Sequence, residues 1–151
     1  MCRIRNSARA ILIKDNKIVI TKNFEEYGYV SYLPGGGQHF QEELTETVKR
    51  ECLEEIGFEV TPKQCIFIRE YIGSKQKYKN YDSDIHQIEF YFVCSVDSYK
   101  NPTKIDERQL TWEWVPLESL DKNEINFFPK SLIPYIQKKC FKSTEYLGSN
   151  I

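Results

Sequence analysis

Apolar residues recur along this chain with two different periods. Ala8 to Ile13 and Ile18 to Lys22 are β-rich runs flanking Lys14-Asp15-Asn16-Lys17, which predicts a hairpin closed by an Asp/Asn turn. Phe24 to Ser31 reads as a loop rich in Glu, Tyr and Gly. It leads into Tyr32-Leu33-Pro34-Gly35-Gly36-Gly37, where glycine frees the backbone from side-chain sterics. Thr45 to Ile56 reads as a helix, and Gly57 stands just past its end, where a left-handed cap is favoured. Cys65 to Ile72 and Ile88 to Val96 read as strands joined by a polar, tyrosine-rich loop, Lys75 to Asp84. Thr111 to Val115 is a short strand, Pro116 to Leu120 a turn or short helix, and Pro129 to Phe141 the last helix. Strands before and after a central helix predict an α/β fold with a mixed sheet between helices. With no repeat, low-complexity tract or linker, residues 1–151 read as a single domain.

The central helix carries the candidate chemistry. At about 100° per residue, Leu44, Val48, Cys52 and Ile56 form one apolar stripe that should pack on the sheet. Glu51, Glu54 and Glu55 fall on a neighbouring arc at i, i+3 and i, i+4 spacings, so their charges repel. A solvated acidic face is the plain explanation. Two features point elsewhere. The acids border the apolar stripe, and they sit toward the helix C-terminus, where the dipole disfavours negative charge. A hard divalent cation such as Mg²⁺ reverses that repulsion, because it prefers oxygen ligands and keeps several waters.

From Gly36 the chain runs Gly36, five residues, Glu42, seven residues, Arg50-Glu51-Cys52, one residue, Glu54-Glu55, one residue, Gly57-Phe58. This resembles the Nudix box, G-x5-E-x7-R-E-U-x-E-E-x-G-U with U a bulky aliphatic. Cys52 and Phe58 depart from the aliphatic positions but stay apolar, so packing should change and chemistry survive. Leu33-Pro34-Gly35-Gly36-Gly37 and Trp114-Val115-Pro116-Leu117 are similar to the family's flanking segments. The resemblance covers nearly the whole chain and implies an α/β/α sandwich with a mixed sheet.

It also implies roles. Glu51, Glu54, Glu55 and the backbone carbonyl of Gly36 would hold Mg²⁺, with Mn²⁺ as the alternative ion. Arg50 would pair with Glu42 and orient Glu51; otherwise that pair is an exposed salt bridge worth under about 1 kcal/mol. Gly57 would support the helix end, and Gly35, Gly36 and Gly37 are candidates for substrate contact. The reaction is attack of water on phosphorus in a diphosphate link, with metal neutralising the phosphate oxygens and acidifying water. The substrate would be a nucleoside diphosphate linked to another group: a nucleoside triphosphate, an oxidised nucleotide or another nucleotide derivative. A carboxylate takes the proton. In the family that base is a box glutamate or an acid outside the box; within it Glu51 is favoured.

Outside the box Glu89 is the strongest candidate. It lies in Ile88-Glu89-Phe90-Tyr91-Phe92-Val93-Cys94, a segment apolar on both faces. A charge buried there needs a partner or a metal, and pairing with a buried arginine such as Arg69 is the alternative reading. Asp82, Asp84 and His86 read mainly as a solvated loop. Lys22, ending the second strand, is a candidate for a phosphate contact or an ordinary exposed lysine. Tyr27, Tyr29, Tyr32, Tyr71, Tyr78 and Tyr81 are candidates for stacking a nucleobase or for core and edge packing. Subfamily markers of the NADH, coenzyme A and ADP-ribose groups are absent, and Tyr78 stands near, out of clear register with, a dinucleoside-polyphosphate marker.

Composition narrows the partners. Hydrophobic residues at 40% and charged residues at 28% fit a globular domain rather than a disordered one. The net charge of −1 gives no global basic field for polymeric nucleic acid or anionic lipid. A small nucleotide is the expected partner, and RNA 5′-end processing would require a local basic groove. No secretion signal or membrane-length apolar run is legible, so a cytoplasmic location is expected. Cys2, Cys52, Cys65, Cys94 and Cys140 are odd in number and lack a CxxC, which argues against a zinc site or a disulfide framework. A homodimer is expected from the family. The rival function is a nucleotide sensor that no longer cleaves, though this chain keeps every catalytic acid of the box.

Overall fold

A computed structural model describes residues 3–77, 79–102 and 107–149; Cys2 and Tyr78 lie outside these. The strands β1 (Ile4–Lys14), β2 (Lys17–Glu25) and β3 (Gly28–Tyr32) are followed by β4 (Gly35–Gly37), the helix α1 (Leu44–Ile56) and β5 (Phe58–Ile72). A short helix α2 (Lys79–Asp82) precedes β6 (His86–Tyr99) and β7 (Gln109–Pro116), and α3 (Ile133–Gln137) precedes β8 (Glu145–Gly148). The sheet runs β3-β2-β1-β6-β5-β8, with β4 paired to β1 and β7 to β2. Strands β1 and β6 are parallel while β5 and β6 are antiparallel, so the sheet is mixed, as expected.

Both faces of the sheet are covered. Ala8, Ala10 and Leu12 of β1 pack with Val48, Cys52 and Ile56 of α1. Ile11 faces the other way, into a cluster with Leu117, Leu120, Leu132, Ile133 and Ile136. Alternation along one strand therefore feeds two apolar layers. The apolar stripe of α1 is buried at Val48, Cys52 and Ile56 as its spacing predicts. Phe58 is an aromatic partner for Trp112, at 5.0 Å between ring centroids, so the unusual residue at the end of the box fills the layer beneath the helix.

Asp15 and Asn16 form the two-residue turn of the β1–β2 hairpin, with φ of 50° and 60°. Both angles are left-handed, as such turns require. The segment Phe24–Ser31 is not a loop. Strands β2 and β3 pair from Thr21–Tyr32 to Glu25–Gly28, and Phe24 packs on Tyr29 with ring centroids 5.1 Å apart. Strand β5 begins at Phe58 because register irregularities around Pro62 let the chain pass a residue that cannot donate a ladder bond. The helix expected over 129–141 shrinks to a 3₁₀ turn at Lys130–Leu132 and to α3. Lys139 turns left-handed at φ 49°, and Phe141 swings back onto Phe67. The chain then adds β8 beside β5. Among the described residues no helix is long and apolar enough to cross a membrane.

Candidate active site

Helix α1 begins with the Glu46 carboxylate accepting from the Glu43 backbone N–H at 2.7 Å, one half of a capping box. It ends at Gly57, whose φ of 73° is the left-handed cap. A Cβ at Gly57 would lie 1.8 Å from the Lys100 carbonyl oxygen, so close approach as well as conformation requires glycine there. These ends fix the helix and hence the direction of its acids.

Arg50 ties that helix to the preceding loop. Its Nε donates to Glu42 Oε1 at 2.7 Å and its Nη2 to Glu42 Oε2 at 3.1 Å. Nη2 also donates to the Gly37 carbonyl at 2.9 Å, and Nη1 to Glu51 Oε1 at 2.7 Å and Glu54 Oε2 at 3.4 Å. The Arg50 contact, with further bonds from the His39 N–H and the Thr47 hydroxyl, lowers the Glu42 carboxyl from its ordinary 4.5 to about 2. Glu42 in turn raises the Arg50 guanidinium above its usual range. The pairing expected of Arg50 and Glu42 is thus present, and it is far better connected than an exposed salt bridge.

The glycines bring the acids to the sheet. Strand β4 pairs with β1 through Gly37–Ser7, Gly36–Ala8 and Gly35–Arg9. A Cβ on Gly36 would stand 2.5 Å from the Glu51 carboxyl carbon, so the carboxylate occupies the space that a side chain would need. The Gly35 N–H donates to Glu55 Oε2 at 3.2 Å. Among the described residues no three Glu, Asp, His or Cys side chains form a ready cage for an ion. As they stand, Glu51 and Glu54 are held by Arg50, and Glu55 by Gly35. The donors, carboxylates beside a close-packed backbone, nonetheless suit a hard divalent cation in kind.

Glu51, Glu55 and Gly35–Gly37 line a cleft of about 700 Å³, within the usual size of small-molecule sites. Glu89 lines it as well. Its Oε2 accepts from Arg69 Nη1 and from the Tyr91 hydroxyl, each at 2.7 Å, and its Oε1 from Gln87 Nε2 at 3.2 Å. The buried arginine partner named as the alternative for Glu89 is therefore the one found. Arg69 also lies 4.8 Å from the Phe128 ring centroid. Lys22 does not line the cleft; its Nζ stacks 5.3 Å from the Tyr29 ring centroid, and its neighbours Thr21 and Asn23 face the site instead.

The cations at the cleft are Arg5, Arg9, Lys77, Arg108 and Lys130, none of which the sequence singled out. Arg9 is the most deeply placed. Burial pulls its guanidinium down, but Glu89, Tyr91 and Glu55 outweigh that and hold it above its ordinary value. Its signal in the sequence is a charge inside the apolar run Ala8 to Ile13, the same sign that exposed Glu89. Of the tyrosines, Tyr27, Tyr32 and Tyr71 line the cleft, and Tyr71 hydrogen-bonds Asp82. Tyr29 and Tyr81 are largely exposed away from that lining. Asp82 lines the cleft, whereas His86 contacts Glu70 at 3.2 Å. Among the described residues Cys52, Cys65, Cys94 and Cys140 are free thiols.

The NUDIX domain family matches residues 3–136 of this chain. The chain belongs to the NUDIX family. Among solved structures it resembles a NUDIX hydrolase from Nitrosomonas europaea, with TM-score 0.76 and 15% identity over 94% of this chain and 93% of that one. An ADP-ribose pyrophosphatase from Streptococcus suis superposes with TM-score 0.64 and 16% identity, covering 95% of this chain and 98% of the other. A UDP-X diphosphatase gives TM-score 0.68 and 16% identity, covering 97% of this chain and 68% of the other. No curated protein matches by sequence. At such identities the structures establish a shared fold, and the family match establishes the class, a NUDIX pyrophosphohydrolase.

Proposed function

We propose that this NUDIX protein hydrolyses a pyrophosphate bond in a nucleoside diphosphate linked to another group. Glu51, Glu54, Glu55 and the Gly36 carbonyl would hold Mg²⁺, or Mn²⁺ in its place. The observation that carries this reading is the Glu51 carboxylate lying in the space of the missing Gly36 Cβ. It sets a carboxylate against bare backbone at the edge of a nucleotide-sized cleft. When bound, the ion supplies positive charge that offsets the phosphate oxygens and makes water more acidic.

The protein's own groups do the rest. Arg50 holds Glu51 and Glu54 in register with the glycine strand. Glu51 takes the proton of the attacking water, as a carboxylate within reach of the bond can. As oxygen bonds to phosphorus, the bridging P–O bond breaks and the leaving phosphate carries the electron pair. Arg9 and the more exposed cleft cations, Arg5 and Lys130, meet the phosphate charge. Glu89, already accepting three hydrogen bonds, positions Arg69 and Tyr91. The names of the related structures guide the choice of substrates, so ADP-ribose and UDP-sugars belong beside nucleoside triphosphates, oxidised dGTP and dinucleoside polyphosphates.

Phosphate release from that panel with Mg²⁺, beside Glu51→Gln, Glu54→Gln and Glu55→Gln, tests the reading. Cleavage lost in the variants supports it. Tight binding of one compound without cleavage would favour a sensor instead.

A further inference from the structure

One buried side chain that lines the cleft has no hydrogen-bond partner for its amide among the described residues. Gln76 is 6% exposed and lines the cleft, yet neither its Nε2 nor its Oε1 makes a hydrogen bond to any described residue. Other polar side chains lining the cleft are paired within the protein. The Tyr71 hydroxyl donates to Asp82, Gln87 to Glu89, and Asn126 to the Tyr29 carbonyl. A buried amide left unpaired costs about 1–3 kcal/mol, so its retention calls for a partner from outside the chain.

Its backbone is held in place. The Gln76 N–H donates to the Gly73 carbonyl at 3.0 Å, and the Gly73 N–H to Ile85 at 2.8 Å. A Cβ at Gly73 would stand 1.6 Å from the Asp82 carbonyl oxygen, so the turn is clamped against α2. The backbone that carries the amide is thus fixed, and the amide, itself closed to solvent, holds one donor and one acceptor side by side next to the cleft.

We infer that Gln76 is a specificity residue that pairs with the donor–acceptor edge of the substrate's nucleobase. Every base carries such an edge, and a glutamine amide meets it with two parallel hydrogen bonds. The diphosphate then lies toward Glu51 and the glycine strand, and the base toward Gln76. This deepens the hydrolase reading and rests on it for the orientation of the substrate.

The test uses binding, so that it stands apart from turnover. Titration calorimetry in EDTA compares AMP, GMP, CMP and UMP with ribose 5-phosphate, for the wild type, Gln76→Leu and Gln76→Glu. Wild type should bind at least one nucleotide more tightly than the base-free sugar phosphate, and Gln76→Leu should lose about ten- to a hundredfold of that preference. Gln76→Glu, with two acceptors, should shift preference toward GMP, whose N1–H and N2–H₂ both donate. The melting temperature of Gln76→Leu should equal or exceed that of wild type, since an unpaired buried amide is removed. A structural glutamine would lower it. Wild type that binds ribose 5-phosphate as well as any nucleotide, or Gln76→Leu that keeps the full preference, would overturn the inference even if the enzyme cleaves its panel. Failure to cleave any compound, with the base preference intact and dependent on Gln76, would sink the hydrolase reading alone.

Discussion

Arg50 grips Glu42 through two nitrogens, Nε at 2.7 Å and Nη2 at 3.1 Å, while its third nitrogen reaches Glu51 at 2.7 Å. One guanidinium therefore locks the loop after the glycine strand to the helix that carries the acids. A bidentate pair of this kind constrains direction as well as distance.

That lock has a pH signature. Glu42 falls from 4.5 to about 2 because Arg50 stabilises its charged form. A carboxyl lowered on folding contributes stability above its unfolded value, and that contribution is lost as pH falls from about 4.5 toward about 2. Urea unfolding of wild type should weaken across that window. Glu42→Gln should be less stable at neutral pH and show a flatter decline; parallel curves for the two proteins would remove the lock from the account.

Gly36→Ala and Gly35→Ala should fail in different ways. The new methyl at Gly36 meets only the flexible end of Glu51, at 2.5 Å, so the carboxylate moves and the fold survives. We expect kcat to fall by at least about tenfold, as removal of one positioned catalytic group does, with little change in melting temperature. At Gly35 the methyl would meet the Ala8 carbonyl oxygen at 2.2 Å, on a backbone at φ +148°. That site has nothing soft to move, and the melting temperature should drop by several degrees, from strain on the order of 1–3 kcal/mol. Thermal melts beside kinetics would distinguish the two.

The pair Arg69–Glu89 is buried on both sides. Removing one partner strands the other, so Glu89→Leu or Arg69→Met should each cost about 3–5 kcal/mol in denaturant unfolding, while the double variant recovers much of that loss. Kinetics on Glu89→Gln add a second reading. A kcat loss of several thousandfold without loss of stability would return Glu89 to the role of general base, in place of the positioning role assigned above.

Metal dependence can be read without substrate. Addition of Mg²⁺ should raise the melting temperature of wild type, because binding to the folded state alone stabilises by about RT ln(1 + [L]/Kd). Glu51→Gln and Glu55→Gln should show a smaller rise, and EDTA should abolish both the shift and any cleavage. Equal shifts in all proteins would place the ion elsewhere.

Much of the site was legible because it is local. Glu42, Arg50, Glu51, Glu54, Glu55 and Gly57 occupy one loop and one helix, where spacing along the chain fixes position in space. The Asp15-Asn16 turn and the apolar stripe of α1 were legible for the same reason. Lys22 lies within β2 rather than at its end, and its place along the chain does not reveal which face meets the cleft; Thr21 and Asn23 are the residues that line it. The hairpin at 24–31 was hidden by its polar, glycine-containing composition, since pairing at a sheet edge needs only one partner strand.

The sequence by itself carried the motif that resembles the family, the helix of acids, the glycine run before it, and the anomaly of a charge at position 89. The helix and the turns follow from short-range periodicity and sterics, which act between near neighbours. Only the tertiary structure decided that Glu89 meets Arg69 across β5 and β6. The same packing put Arg9 into the cleft, folded the chain after α3 into an eighth strand, and left Gln76 unpaired beside the cleft. Those outcomes depend on which distant segments pack together and on whether each buried polar group then finds a partner, and neither is written in the spacing of residues along the chain.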